Sequence, residues 1–163
     1  MSLETYTLIH VIISLIGIVS GLIVLFGMLG NKRLDGLTAI FLITTVLTSL
    51  TGFGFPFKGV TPAIMLGILS LIVLALAIPA RYTFRMAGKW RAIYVITTVV
   101  ALYFNCFVLV IQTFQKKILH TTQPPSGPAF AATQGLVLVL FIVLGVMAVK
   151  KFHPDQLGAA RRA

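Results

Sequence analysis

A chain of 163 residues that is 58% hydrophobic and only 10% charged, with a mean hydropathy of +1.05, exceeds what a water-soluble domain of this size tolerates on its surface. Composition therefore excludes a soluble globular protein and makes lipid the solvent. The formal charge of +10, from 13 Lys and Arg against three Asp and Glu, invites a nucleic-acid reading, but the placement of those charges has a simpler explanation in membrane topology.

A hydrocarbon core of about 30 Å needs roughly 20 apolar residues as helix, because backbone groups in lipid must find their hydrogen bonds within their own segment. Five stretches meet that requirement, none with an Asp, Glu, Lys or Arg in its middle: Tyr6–Gly30, Leu37–Phe55, Val60–Ala80, Ala92–Phe114 and Phe130–Val149. The expected fold is all-α, a single polytopic five-helix bundle over residues 1–153 followed by a mobile cytoplasmic tail over 154–163. No run of short alternating segments supports a membrane β-barrel.

In the first span His10, Ser14, Gly17 and Gly21 follow at intervals of 4, 3 and 4, one helical face that includes a GxxxG. Helices in lipid associate through small residues and polar side chains that find partners, so this face is expected to meet another helix closely. The second span carries Thr44, Thr48 and Thr51 on one face. Their hydroxyls can bond back to carbonyls one turn earlier, so they read as tolerated.

The apolar run Leu37–Ala80 is too long for one helix. Pro56 stops the second span, Gly52, Gly54 and Gly59 loosen the corner, and Pro62 suits the first turn of the third. A re-entrant pair that returns without crossing is the alternative. In the third span Ala63, Gly67, Ser70, Leu74 and Ala77 form a second smooth stripe. Beyond it come Arg81, Arg85, Lys89 and Arg91, interleaved with Tyr82, Phe84 and Trp90, a composition suited to anionic headgroups.

The fourth span holds Thr98, Asn105 and Gln112 at seven-residue spacing. An unpaired amide in an apolar medium costs several kcal/mol, so Asn105 and Gln112 are expected to face the bundle or a wet cavity. Cys106 reads as a small apolar core residue. Gln115 to Pro128 is the longest connection, and Pro124, Pro125, Ser126, Gly127 and Pro128 give it a stiff non-helical path, expected to fold over the bundle.

With five spans, one side of the membrane holds Lys32, Arg33, Arg81, Arg85, Lys89, Arg91, Lys150, Lys151, Arg161 and Arg162, and the other only Lys58, Lys116 and Lys117. Lys and Arg collect on the cytoplasmic side, so the N-terminus is expected outside and the C-terminus inside, in one orientation only. Glu4 and the lack of a basic leader argue against a cleaved signal peptide.

That topology separates the histidines. His10 and His120 fall toward the outer side and His153 on the inner tail. A modest outer polar site of His10, Asn105, Gln112 and His120 is the candidate for haem, quinone, lipid or metal binding, although no HxxxH or Cys/His pairing marks it and no cofactor is specified. The three acids, Glu4, Asp35 and Asp155, lie outside the spans and on both sides, so no carboxylate pair assembles. There is no GxSxG, HExxH or phosphate-cradling loop, no intramembrane serine with a histidine at comparable depth, and no membrane-embedded acid to drive transport.

The run Gly52-Phe53-Gly54-Phe55-Pro56-Phe57-Lys58, with Leu102-Tyr103-Phe104-Asn105 and Gln134-Gly135, resembles a group of small bacterial polytopic membrane proteins of no known activity. The resemblance implies a bacterial cytoplasmic membrane and supplies no site residues. The expected function is a non-enzymatic accessory or scaffold subunit. It would self-associate or dock to a larger membrane complex through helix packing, with Ser14, Gly17, Gly21, Gly67 and Ser70 as the packing positions, Arg81, Arg85, Lys89 and Arg91 on anionic lipid and no nucleic-acid partner. Cofactor or lipid binding at the outer site is the alternative, and a small channel or facilitator the third reading.

Overall fold

The computed structural model describes residues 2–56, 59–115 and 126–154. Over these it is all-helical, without strands: α1 Leu3–Leu29, α2 Asp35–Gly52, α3 Pro62–Tyr82, α4 Lys89–Gln115 and α5 Pro128–Lys151. All five helices are long and apolar enough to cross a membrane. Lys58, Lys116, Lys117, His120, Pro124, Pro125 and the tail from Asp155 onward lie outside the described residues.

The helix ends follow from local chemistry. Ser2 Oγ accepts the Thr5 amide and Glu4 stands in the first turn of α1, where unpaired backbone N–H groups favour an acid. Thr61 caps α3 in the same way, accepting from the Ile64 amide, and Pro62 follows where no amide donor is missed. Gly59, at φ +97°, occupies the left-handed region in the α2–α3 corner. α2 itself ends at Gly52, short of the expected Phe55, because Phe53 and Gly54 turn onto Leu50 and Thr51 carbonyls. A side chain at Gly54 would collide with the Tyr6 hydroxyl.

α1 packs chiefly along α2, α3 along α4, and α5 along α4; contacts of α2 with α3 and of α1 with α4 and α5 join these pairs. The core gathers Leu25 and Met28 of α1, Phe41 and Leu42 of α2, Leu74 and Ala77 of α3, Tyr94 and Leu102 of α4, and Phe141 of α5. α2 buries Phe41, Leu42, Thr45 and Ser49 despite its polarity. Its hydroxyls make this cheap: Thr38, Thr44, Ser49 and Thr51 each donate to a carbonyl one turn earlier.

α5 is the least enclosed helix. Only Gln134, Phe141 and Ala148 are buried along it, and Leu136, Val139, Leu140, Ile142, Val143 and Val146 are exposed.

Candidate functional site

Polar chemistry concentrates at the two ends of the bundle, with a sparse link between them. At one end α1 and α2 meet antiparallel along the face that runs from His10 to Gly21. His10 Nδ1 lies 2.8 Å from Thr51 Oγ1, and the Tyr6 hydroxyl donates to the Thr51 carbonyl at 2.6 Å. Phe55 stands edge-on to both the Tyr6 and His10 rings, with centroids 5.1 and 5.2 Å away. One turn on, the Ser14 hydroxyl donates to the His10 carbonyl at 2.7 Å and approaches Thr48 Oγ1 at 3.3 Å.

Next along the seam, a Cβ on Gly17 would stand 3.0 Å from Thr44 Oγ1, and one on Gly21 2.6 to 2.8 Å from Leu102 and Phe41 side-chain carbons. The glycines thus let α2 and α4 approach α1 within one chain. The face that holds Gly17 and Gly21 is thus covered within the chain, by α2 and α4. Gly67 likewise faces Phe53 and the Ser49 carbonyl, and Ser70 is buried in the bundle. A serine does sit one turn from His10, contrary to the sequence reading, but its proton goes to the His10 carbonyl and not to the imidazole.

Among the described residues, the members of the expected outer cluster stand apart. Asn105 Nδ2 donates to Thr45 Oγ1 at 3.2 Å. His10 goes to Thr51, six residues and about 9 Å farther along α2. Gln112 is exposed rather than turned inward. The reason is its depth: a 27-residue helix is about 40 Å long, so the last turn of α4 projects beyond a hydrocarbon core of about 30 Å and an amide there can be hydrated. His120 is outside the described residues. A second amide that the sequence reading did not select, Gln134, is buried on α5 and donates to the Phe107 carbonyl of α4 at 3.1 Å.

The other end is ionic. Arg81, in the last turn of α3, is only 3% exposed. Its Nη2 pairs with Asp35 at the start of α2, and its Nη1 donates to the Tyr94 hydroxyl at 3.0 Å while lying 4.0 Å from Met86 Sδ. The guanidinium also stands 5.7 Å from the centroid of the Tyr82 ring. Asp35 is shared, because Arg33 Nε reaches the same carboxylate oxygen at 2.7 Å. Arg85 and Met86 are held at φ 48° and 58°, in the left-handed region, and the buried Met86 side chain is fixed under Arg81. Conformations this unusual for non-glycine residues persist where surrounding contacts over-determine them.

Beside this cluster Arg91 Nη1 donates to the Val149 and Phe152 carbonyls, both at 2.7 Å, closing the open end of α5. Asn31 Oδ1 accepts the His153 amide at 2.8 Å. Two of the four basic residues expected on anionic headgroups, Arg81 and Arg91, are therefore engaged inside the fold. A buried cation has to be paired, and Arg81 is paired with Asp35, while the half-buried Arg91 is held by carbonyls. Arg85 and Lys89 remain exposed, next to the stacked Phe84 and Trp90 rings, 3.8 Å apart.

The sequence does carry a signal for Arg81: position 81 continues the α3 stripe Gly67, Ser70, Leu74 and Ala77 by four more residues, onto the buried face. Among the described residues no group of three His, Cys, Asp or Glu side chains stands close enough to hold a metal ion. Cys106 is partly buried on α4. Compared with protein-family models, with curated proteins and with solved structures, the chain matches none of them.

Proposed function

We propose that the chain is a small integral membrane accessory or scaffold subunit, acting through helix packing rather than chemistry of its own. The observation that supports this is where the polar groups go. Arg81, Asp35 and Tyr94 tie α2, α3 and α4; Asn105 and Thr45 tie α4 to α2; Gln134 and Arg91 tie α5 to α4. Each of these ties serves cohesion of the bundle.

The assembly face belongs to α5, since the glycine face of α1 is covered within the chain. Exposed Ala132, Gly135, Val139 and Ile142 lie on one side of that helix, and Gly135 has open space where a Cβ would be. Small residues on a lipid-exposed helix allow a second helix to approach closely. The bundle belongs in a bacterial cytoplasmic membrane, as the resemblance implies; the Lys and Arg distribution supports an N-terminus outside, with the ionic end of Arg33, Arg85, Lys89, Lys150 and Lys151 facing the cytoplasm over anionic lipid.

Native mass spectrometry of gently extracted protein tests the assembly: a multimer or a co-purifying protein, lost in Gly135→Leu with the monomer still folded, is the expected result. A monomer without companions overturns the reading. Impermeant thiol labelling of single cysteines placed at Ser2 and at Lys151, in a Cys106→Ala background, tests orientation, with Ser2→Cys labelled from outside.

A further inference from the structure

Heavy-atom geometry around His10 assigns its tautomer. A threonine hydroxyl has one proton and two lone pairs. Thr51 Oγ1 lies 2.7 Å from the Leu47 carbonyl oxygen and 3.3 Å from that of Thr48, and neither carbonyl has a proton to give. The Thr51 proton is therefore committed to its own helix. The 2.8 Å contact between Thr51 Oγ1 and His10 Nδ1 must then use the other proton available, which is the one on Nδ1. A neutral imidazole protonated at Nδ1 carries a bare lone pair at Nε2. Among the described residues nothing donates to it.

This lone pair lies within the depth of the hydrocarbon core. α1 is about 40 Å long and the hydrocarbon core about 30 Å, so a centred α1 projects about 5 Å at each end. His10 lies seven residues, or about 10 Å, from Leu3 and hence about 5 Å inside the hydrocarbon boundary. A hydrogen-bond acceptor left unpaired there is costly. It calls for a donor that itself resides at that depth, carried on an apolar body. The local walls are aromatic: Phe55 stands edge-on to His10, and Tyr6 beside it is held by the Thr51 carbonyl.

We propose that His10 Nε2 is an acceptor site for the hydroxyl of a membrane-soluble aromatic alcohol of the quinol class, held ready by Thr51. Thr51 acts as a positioning residue, since it sets the tautomer and has no contact with the ligand. This reading goes beyond a scaffold role and does not depend on it.

The test uses the full chain in lipid nanodiscs, labelled with ¹⁵N-histidine, with the His10 signals assigned by their loss in His10→Gln. The nitrogen spectrum is expected to show His10 as the Nδ1–H tautomer. The probe is a tail-less naphthoquinol, with its quinone form as control because it accepts but cannot donate. Naphthoquinol is expected to shift the Nε2 resonance saturably and the quinone to leave it in place. Thr51→Val, which keeps the imidazole and frees its tautomer, is expected to weaken the quinol response at least tenfold. An Nε2–H tautomer in the wild type overturns the proposal. So does an equal response to quinol and quinone, no response beyond that to water, or an undiminished response in Thr51→Val.

Discussion

The two ends of the bundle solve the same problem in opposite ways. Around His10 the described seam groups are neutral, and the hydroxyls of Tyr6, Ser14 and Thr51 bond back to their own helix or meet a group directly across the α1–α2 seam. At the Arg81 end one buried cation gathers α2, α3 and α4 through Asp35, Tyr94 and Met86. The first end depends on closeness, because short-range contacts work only if glycines let the backbones approach. The second depends on charge balance, because removing Asp35 leaves the buried Arg81 cation unpaired in a low dielectric.

The comparison breaks first where closeness is removed. Gly21→Leu places carbon where even a Cβ would stand 2.6 Å from Leu102, and overpacking of this kind is expected to cost about 3 kcal/mol. Melting in mild detergent, followed by Trp90 fluorescence, should lose its cooperative transition; a wild-type melt would sink the close-approach account. Asp35→Asn comes next. Its cost is set at about 2–3 kcal/mol, below that of a fully enclosed pair, because the Asp35 side chain is 64% exposed while that of Arg81 is 2% exposed.

The sharper test of the ionic end is the double variant Asp35→Asn with Arg81→Met. Losing both charges together should recover stability to within about 1 kcal/mol of wild type, read by denaturant titration. If the double variant falls as far as the sum of the singles, charge balance is the wrong explanation. Asn105→Leu, which strands Thr45 between the two ends, is expected to cost about 1 kcal/mol. Smallest of all, Arg33→Ala should change stability by less than about 0.5 kcal/mol, an effect that fades with added salt, since that pair is solvent-facing.

The five helices were legible because bilayer thickness constrains length and polarity so tightly that apolar runs bounded by charge or proline leave little choice. The His10–Gly21 face was legible too, as a spacing pattern within one helix. Its counterpart was not. Nothing in periodicity says which helix lies opposite, and the Thr44, Thr48 and Thr51 row read as merely tolerated because threonine hides its hydroxyl so easily in its own backbone.

Arg81 is hidden for a different reason: the positive-inside rule counts charges per loop and ignores the helical face each one occupies. Its phase with Ala77 and Leu74 placed it inside. Gln112 is the opposite case: the cost of burying an amide does not govern a residue in the last turn of its helix, where water is within reach.

The Arg91 contact with the end of α5 has a mechanical consequence. Arg91 stands in the first turn of α4, and the carbonyls it holds belong to Val149 and Phe152 at the last turn of α5. The vertical register of α5 is therefore set by the start of α4 and not by the length of its own apolar stretch. A bilayer a few ångströms thinner or thicker meets two helices locked at a common height, so mismatch is absorbed by tilting the pair together rather than by sliding one past the other.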